Sequence, residues 1–108
     1  MFECKTFSII KDNRRAAIEL TEQFGPNKYY FNRLIVDKNL RGQGYSIKLM
    51  EQMVEWADET KATIYLDINP YGPLDYTQLS AFYKRYGFED NKDPESIRMS
   101  NLVRFPKE

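Results

Sequence analysis

The stretch VDKNLRGQGYSIKLMEQMVEWADE, residues 36–59, joins an apolar segment to a run of helical periodicity through two glycines, Gly42 and Gly44. From Tyr45 onward, apolar residues recur at helical spacing and charged residues occupy the opposite side. This pattern predicts an amphipathic helix over about residues 45–59. Its apolar stripe consists of Ile47, Met50, Met53, Val54 and Ala57.

The two glycines indicate what the turn before this helix could accommodate. The first amide groups of a helix have no intrahelical acceptor, and the helix dipole adds positive potential there. Glycine lets an anion approach the backbone without meeting a Cβ atom, and Arg41 could add a charge-assisted hydrogen bond. The turn therefore indicates a phosphate site, while a tight turn that simply uses glycine explains the bare pattern about equally well.

Composition limits the class of protein. The 108 residues are the size of one domain, predicted to span residues 1–108. Lys and Arg number 16 and Asp and Glu number 16, and this zero net charge argues against direct binding of nucleic acid or anionic lipid. There is no His, so no metal site is predicted, and the single Cys4 fits a reducing compartment. No apolar run is long enough to span a bilayer, so we expect a soluble, cytoplasmic protein without a membrane partner.

The remaining patterns predict five strands and a second helix. Strands are expected over residues 2–11, 15–23, 28–37, 63–68 and 97–104. The third is apolar on both faces, which favours a central position, with Tyr29, Phe31 and Ile35 on one face and Tyr30, Leu34 and Val36 on the other. Asp75 and Gln78 have the spacing of a capping box, and the helix that they begin should stop at Gly87. The order βββ-αβ-αβ predicts an α+β fold in which two helices flank a mixed sheet.

Two common phosphate loops do not fit the turn. A Walker loop requires Gly-Lys-Ser/Thr, which is absent. The dinucleotide fingerprint G-x-G-x-x-G fits Gly42 and Gly44 but fails at Ile47, although Asp67 follows Gly44 by 23 residues. Three predicted strands also precede the loop, whereas a dinucleotide fold usually opens with it.

A third pattern fits. Arg41, Gly44 and Ser46 form R-x-x-G-x-small, which resembles the acetyl-coenzyme A signature Q/R-x-x-G-x-G/A of the GNAT N-acetyltransferases. Further along, YLDINPYG resembles the L-E-V-N-P strand of that family, and LSAFYKRYGF resembles its L-Y-x-x-x-G-F helix end. The resemblance covers about residues 29–88 and implies a GNAT-like sheet with the N-terminal helices of the family missing. This compact layout is similar to small phage-type acetyltransferases, including anti-CRISPR enzymes.

The resemblance implies a set of site residues. Acetyl-coenzyme A would be the cofactor, with its pantetheine arm along the strand end and its pyrophosphate on the amides of the turn. The residues implied to bind it are Leu34, Ile35, Val36, Arg41, Gly42, Gln43, Gly44, Tyr45, Ser46, Ile47, Asn69 and Tyr83. Tyr76 stands where many relatives carry an Asn that bonds the cofactor, so that contact is not expected.

The same resemblance implies the catalytic groups. Tyr83 would protonate the departing thiolate, because it is the tyrosine of L-Y-x-x-x-G-F. Asp67 would be the base, since it occupies the place of the Glu in L-E-V, although a solvated strand carboxylate explains it equally well. Tyr30 occupies the position of a Glu in histone-type relatives. Glu19, Glu22 or water remain alternative bases.

Three functions remain open at this point. The first is an acetyl-coenzyme A-dependent N-acetyltransferase acting on a primary amine, such as a protein lysine. The alternative is a catalytically inactive coenzyme A-binding module with an interaction or regulatory role. The third is a structural α+β domain with a phosphate-friendly turn. Under the first, the acceptor groove would be open to a macromolecule or closed by a second copy in a homodimer.

Overall fold

The computed structural model describes residues 4–22, 25–68, 75–92 and 101–107. Two α-helices and a 3-10 helix at Lys38–Leu40 accompany the strands, and the helices are α1, Tyr45–Thr60, and α2, Tyr76–Lys84. The strands are β1, Cys4–Lys11; β2, Arg14–Glu22; β3, Lys28–Val36; β4, Thr63–Leu66; β5, Glu89–Asp90; and β6, Leu102–Arg104. The expected α+β architecture of a mixed sheet with two helices is confirmed.

The predicted elements agree with the observed ones except at their ends. Helix α2 begins with the predicted capping box, in which the Asp75 side chain accepts from Gln78 N and the Gln78 side chain accepts from Asp75 N. The last strand was predicted over residues 97–104 and is observed as β6, while residues 97–100 lie outside the described part. The 3-10 helix and the two-residue strand β5 were not predicted, because elements of two or three residues are too short to show a periodicity.

The described strands form one sheet in the order β1-β2-β3-β4-β6-β5. The pair β3–β4 is parallel, with α1 as the crossover, and the other neighbouring pairs are antiparallel. The β1–β2 turn places Asp12 and Asn13 at φ values of 52° and 63°, as two-residue hairpins of matching twist require. Strand β3 is therefore central, as its apolar composition predicts.

A β-bulge in β3 changes which of its residues face the core. Glu19 pairs with Arg33 and Leu20 with Phe31, so Asn32 is the extra residue. Tyr29 and Phe31 are buried in the core, and beyond the bulge Leu34 and Val36 pack against it, while Ile35 is 38% exposed. The prediction that Phe31 and Ile35 share a face is wrong, because the bulge reverses the alternation between them.

Both helices pack on one face of the sheet. The Trp56 ring of α1 contacts Phe7 and Tyr29, and the Tyr83 ring of α2 contacts Phe31. The register places these three strand residues on the same side as Ile18 and Leu20, within one hydrophobic core. No described helix packs on the opposite face, which we call the helix-free face; it carries Glu19, Thr21, Tyr30, Tyr65 and Asp67.

The buried stripe of α1 differs from the predicted one. Its buried residues are Tyr45, Leu49, Met50, Met53 and Ala57, and Val54 is partly buried. Ile47 is 47% exposed, so its predicted place in the stripe is wrong. The sheet covers a face centred between Leu49 and Met53, and at 100° per residue Ile47 points away from it.

A buried ion pair joins β6 to the C-terminal part of α1. Arg104 of β6 is 1% exposed, and its two terminal nitrogens lie 2.9 and 3.0 Å from the carboxylate oxygens of Asp58. Its Nε donates to the carbonyl oxygen of Tyr86 at 2.7 Å. The Arg104 guanidinium holds the pKa of Asp58 below its usual range. Within the described ranges, neither α1 nor α2 is long and apolar enough to cross a membrane.

Candidate active site

The segment that links β3 to α1 is held by its own hydrogen bonds. The Asp37 carboxylate accepts from Asn39 N at 2.9 Å and lies 3.5 Å from an Arg14 nitrogen, while Asp37 N donates to the Arg15 carbonyl at 3.1 Å. The hydrogen bond from Asn39 N lowers the pKa of Asp37. Leu40 is buried and anchors the segment in the core. The turn before α1 is therefore fixed before any ligand binds.

The first turn of α1 is open to an anion. Gly44 is the N-cap at φ 81° and ψ 11°, and it supplies no side chain to the amides that follow. The first intrahelical bond runs from Lys48 N to Gly44 O, so the amides of Tyr45, Ser46 and Ile47 have no intrahelical acceptor. A Cβ atom added at Gly42 or Gly44 would meet no protein atom within 4 Å. The space in front of these amides can therefore hold a phosphate group.

Strands β3 and β4 separate next to this turn. Their parallel pairing covers Lys28–Thr63, Tyr29–Ile64 and Tyr30–Tyr65 only. Beyond Tyr30, the described residues of β4 offer β3 no further partner, and the bulge at Asn32 lies where the pairing stops. We call the gap between the two strands the split. It opens towards the same end of the sheet as the N-terminus of α1.

The backbone of the β3 end presents hydrogen-bonding groups to the split. Asp37 N donates to Arg15 O, so Arg15 and Asp37 form a hydrogen-bonded pair between β2 and β3. Hydrogen-bonded and non-hydrogen-bonded pairs alternate along an antiparallel ladder. The backbone N–H and C=O groups of Ile35 therefore point to β2, and those of Leu34 and Val36 point away from it. The Val36 carbonyl accepts from Arg41 Nε at 3.1 Å. Leu34 and Val36 therefore offer backbone groups on the split side, while Ile35 places a side chain on the helix-free face.

Tyr83 lies on the core side of the split. Its ring is half-buried and makes edge contacts with Phe31 at 5.7 Å, Phe82 at 5.3 Å and Phe88 at 5.9 Å between centroids. Because Phe31 is the first residue of β3 beyond its pairing with β4, this contact sets Tyr83 beside the opening of the split. Three aromatic neighbours fix the ring.

Tyr30 and Asp67 lie on the helix-free side of the same opening. The Tyr30 hydroxyl donates to Asp67 Oδ2 at 2.9 Å, across from one strand to the other. Asn101 N donates to Asp67 Oδ1 at 3.2 Å, and the Asn101 side chain accepts from Ile68 N at 2.7 Å. Burial raises the pKa of Tyr30 to about 12, with the hydrogen bond to Asp67 and the charge of that carboxylate as further causes.

The other residues singled out in the sequence lie in different surroundings. Glu19 forms an ion pair with Arg33, and Glu22 accepts from Asn27 N at 2.9 Å. Tyr76 is 46% exposed at the start of α2. Asn69, predicted to contact the cofactor, lies outside the described residues.

The contacts of Asp67 with Tyr30 and Asn101 were not found from sequence. The alternation of β4 indicates only that Asp67 faces away from the core.

The site therefore combines a helix start whose first amides lack intrahelical acceptors with a split strand pair that carries a phenol on one side and a carboxylate on the other. A family model described as the acetyltransferase (GNAT) domain matches residues 4–90. The chain belongs to this family and is an N-acetyltransferase, and the acetyl donor of GNAT acetyltransferases is acetyl-coenzyme A.

Solved structures share the fold at low identity. A GNAT-family acetyltransferase from Staphylococcus aureus Mu50 is 21% identical with a TM-score of 0.67, over 96% of this chain and 68% of the other. The PaiA N-acetyltransferase of Thermoplasma acidophilum, solved in complex with coenzyme A, is 16% identical with a TM-score of 0.63, over 98% and 62%. The anti-CRISPR protein AcrVA5 is 18% identical with a TM-score of 0.62, over 91% of this chain and 96% of that protein. No curated protein sequence matches the chain.

Proposed function

We propose that this chain transfers an acetyl group from acetyl-coenzyme A directly to a primary amine, with a protein lysine as the acceptor. The observation that carries the proposal is the position of Tyr83 and Asp67 on opposite sides of one split. An acyl transfer needs a group that takes a proton from the attacking nitrogen and a group that gives one to the departing sulfur. Placing them on opposite sides lets the amine enter from one face while the thiol leaves towards the other.

The cofactor would follow the split to the start of α1. Its pyrophosphate would lie against the amides of residues 43–47, where the open space at Gly42 and Gly44 fits a phosphate group. The exposed side chains of Lys38, Arg41 and Lys48 add positive charge around that turn. The pantetheine arm would bond the backbone of Leu34 and Val36 in place of the missing β4 partner. Bound in this way, acetyl-coenzyme A supplies an activated carbonyl carbon at the split.

The proton balance assigns one role to each side chain. The acceptor ammonium loses a proton to Asp67, and the neutral nitrogen then forms a bond to the carbonyl carbon. The carbon–sulfur bond breaks, and the sulfur takes a proton from Tyr83 to leave as a thiol. Water carries the second nitrogen proton to the Tyr83 phenolate and the Asp67 proton to solvent, so the products are an N-acetyl amine, coenzyme A and one proton.

The helix-free face supports a macromolecular acceptor. Asp67 lies on this face beside Tyr30 and Tyr65, and no described helix forms a wall over them. An extended lysine side chain can reach a carboxylate on an open sheet face, while a small amine would find few groups to hold it there. The anti-CRISPR protein of nearly the same length has the same fold. The described residues share one core, which supports the prediction of a single domain, and the homodimer stays a prediction.

The test compares acceptors and two carboxylate variants. Purified protein is incubated with acetyl-coenzyme A and either lysine-containing proteins or small amines, and intact mass shows which gain acetyl groups. Asp67→Asn should slow lysine acetylation roughly 10²-fold near neutral pH and less at high pH, where more amine is already neutral. Glu19→Gln is the matched control, because Glu19 lies on the same face but pairs with Arg33. Acetylation of small amines alone would refute the lysine proposal, and an equal loss at every pH would refute the base role.

A further inference from the structure

The hydrogen bond between Tyr30 and Asp67 has no part in the proton balance above. It joins residues 37 positions apart in the chain: Tyr30 lies in β3, and Asp67 directly follows the last residue of β4. Strand pairing between β3 and β4 stops at the Tyr30–Tyr65 pair, so the side chain of Asp67 lies just beyond the last backbone contact. A carboxylate at that place needs another support to keep a fixed direction.

We propose that Tyr30 is a positioning residue that holds the Asp67 carboxylate in the orientation that receives the proton of the acceptor amine. The inference rests on the proposed function, because it assigns Tyr30 to the same proton transfer. The Tyr30 hydroxyl donates to Oδ2 and Asn101 N donates to Oδ1, so both oxygens are held from opposite sides. Each carboxylate oxygen can accept two hydrogen bonds, which leaves one acceptor position on each for the amine.

The direction of the hydrogen bond excludes Tyr30 itself as the base. A tyrosine with a pKa of about 12 remains a protonated donor throughout the pH range in which an amine is acetylated. The causes of that pKa, burial and the Asp67 carboxylate, both stabilise the neutral phenol. Tyr30 is therefore assigned a role through Asp67, as a hydrogen-bond donor to the carboxylate and not as the base.

Few of the charged and titratable groups in the described part of the chain lie on the face of Asp67. On the helix-free face, the described groups that flank it are Tyr30 of β3, Tyr65 of β4 and the Glu19–Arg33 pair on β2 and β3. Glu19 and Arg33 neutralise each other. Asn101, which pairs with Asp67 from the β6 side, does not titrate. Among the described residues, the Asp67 carboxylate accepts its hydrogen bonds from Tyr30 and Asn101.

A double-mutant cycle tests whether Tyr30 acts through Asp67. Tyr30→Phe should lower kcat about tenfold and leave the KM for acetyl-coenzyme A unchanged, because one orienting hydrogen bond is lost. In the Asp67→Asn background, the same change should have no further effect. Thr21→Val is the matched control, because Thr21 pairs with Tyr30 on the same face and its hydroxyl bonds Asn32 instead of Asp67.

A second measurement reads the hydrogen bond directly. The Tyr30 ring carbon attached to oxygen reports its titration in an NMR experiment, and the pKa should fall from about 12 towards its ordinary value in Asp67→Asn. An unchanged Tyr30 titration, wild-type kcat in Tyr30→Phe, or losses that multiply in the double variant would each overturn the proposal. Failure of the proposed function itself would be seen earlier, as a wild-type protein that acetylates no amine.

Discussion

Replacing Tyr83 by Phe removes one hydroxyl and keeps the ring that lies on the core side of the split. The ring keeps its edge contacts with Phe31, Phe82 and Phe88, so its position should not change. A single lost hydrogen bond alters the free energy of unfolding by about 1 kcal/mol. We therefore expect a folded variant with an almost unchanged melting temperature.

The effect on turnover should be far larger. If Tyr83 protonates the departing thiolate, kcat should fall roughly 10²–10⁴-fold, the usual worth of a positioned acid, which corresponds to roughly 3–5 kcal/mol in the transition state. The affinity for acetyl-coenzyme A should change little, because the proton is needed only as the sulfur departs. The assay follows thiol release and acetylated product under single-turnover conditions, with cofactor affinity measured by calorimetry.

Tyr86→Phe provides the matched control. Tyr86 lies three residues further along, and its ring packs against Phe82 at 5.5 Å, so the same hydroxyl is removed from the same aromatic cluster. Its turnover should stay within about twofold of the wild type, since Tyr86 does not contact Phe31 at the split. Wild-type turnover in a folded Tyr83→Phe variant that binds the cofactor would refute the acid role. Equal losses in both variants would show that the cluster, and not the Tyr83 hydroxyl, limits the reaction.

Four further predictions concern the turn and the core. Acetyl-coenzyme A should raise the melting temperature, and Gly44→Val should abolish this protection by filling the phosphate space, while full protection in that variant would exclude the site. Asp58→Ala should lower the free energy of unfolding, measured in urea, by about 3 kcal/mol, because Arg104 is left buried without its carboxylate. Adding Arg104→Met to this variant should recover part of the loss. Losses that simply add in the double variant would contradict the pairing. The pKa of Asp58 is lower in the folded state, so its contribution to stability is present above about pH 4 and is lost as the pH falls through the folded-state pKa. Asp58→Asn should therefore weaken the loss of stability that the protein shows on acidification. An unchanged dependence of stability on acid pH would contradict this. Gly87→Ala should lower the melting temperature, because its φ is 95° and its Cβ would lie 3.1 Å from Arg104 Nε, and an unchanged melting temperature would contradict that reasoning.

The parts of the site that follow from local sequence were predicted well. Helix α1 begins at Tyr45 directly after Gly44, and α2 begins with the Asp75–Gln78 capping box, because both signals act within a few residues of the chain. The left-handed φ of Gly44 and the open amides after it follow from the same local rules. Sequence alone therefore located the turn at which the anion site is predicted.

Contacts between strands could not be predicted from the sequence and were found only in the tertiary structure. The bulge at Asn32 depends on the register between β2 and β3, and a one-residue shift moves every later side chain to the other face. The predicted faces of Ile35 and of Ile47 were wrong because each depends on which neighbouring surface covers the segment.

The sequence by itself determined the order of the main elements, the glycine turn before α1 and the chemical types available for catalysis. Only the tertiary structure decided that β3 and β4 separate after Tyr30, that Tyr83 lies on one side of the split, and that Tyr30 holds Asp67 on the other. Periodicity and capping are properties of neighbouring residues, so the chain displays them directly. The meeting of residues 37 positions apart depends on strand register and on the packing of the whole core, which no local pattern encodes.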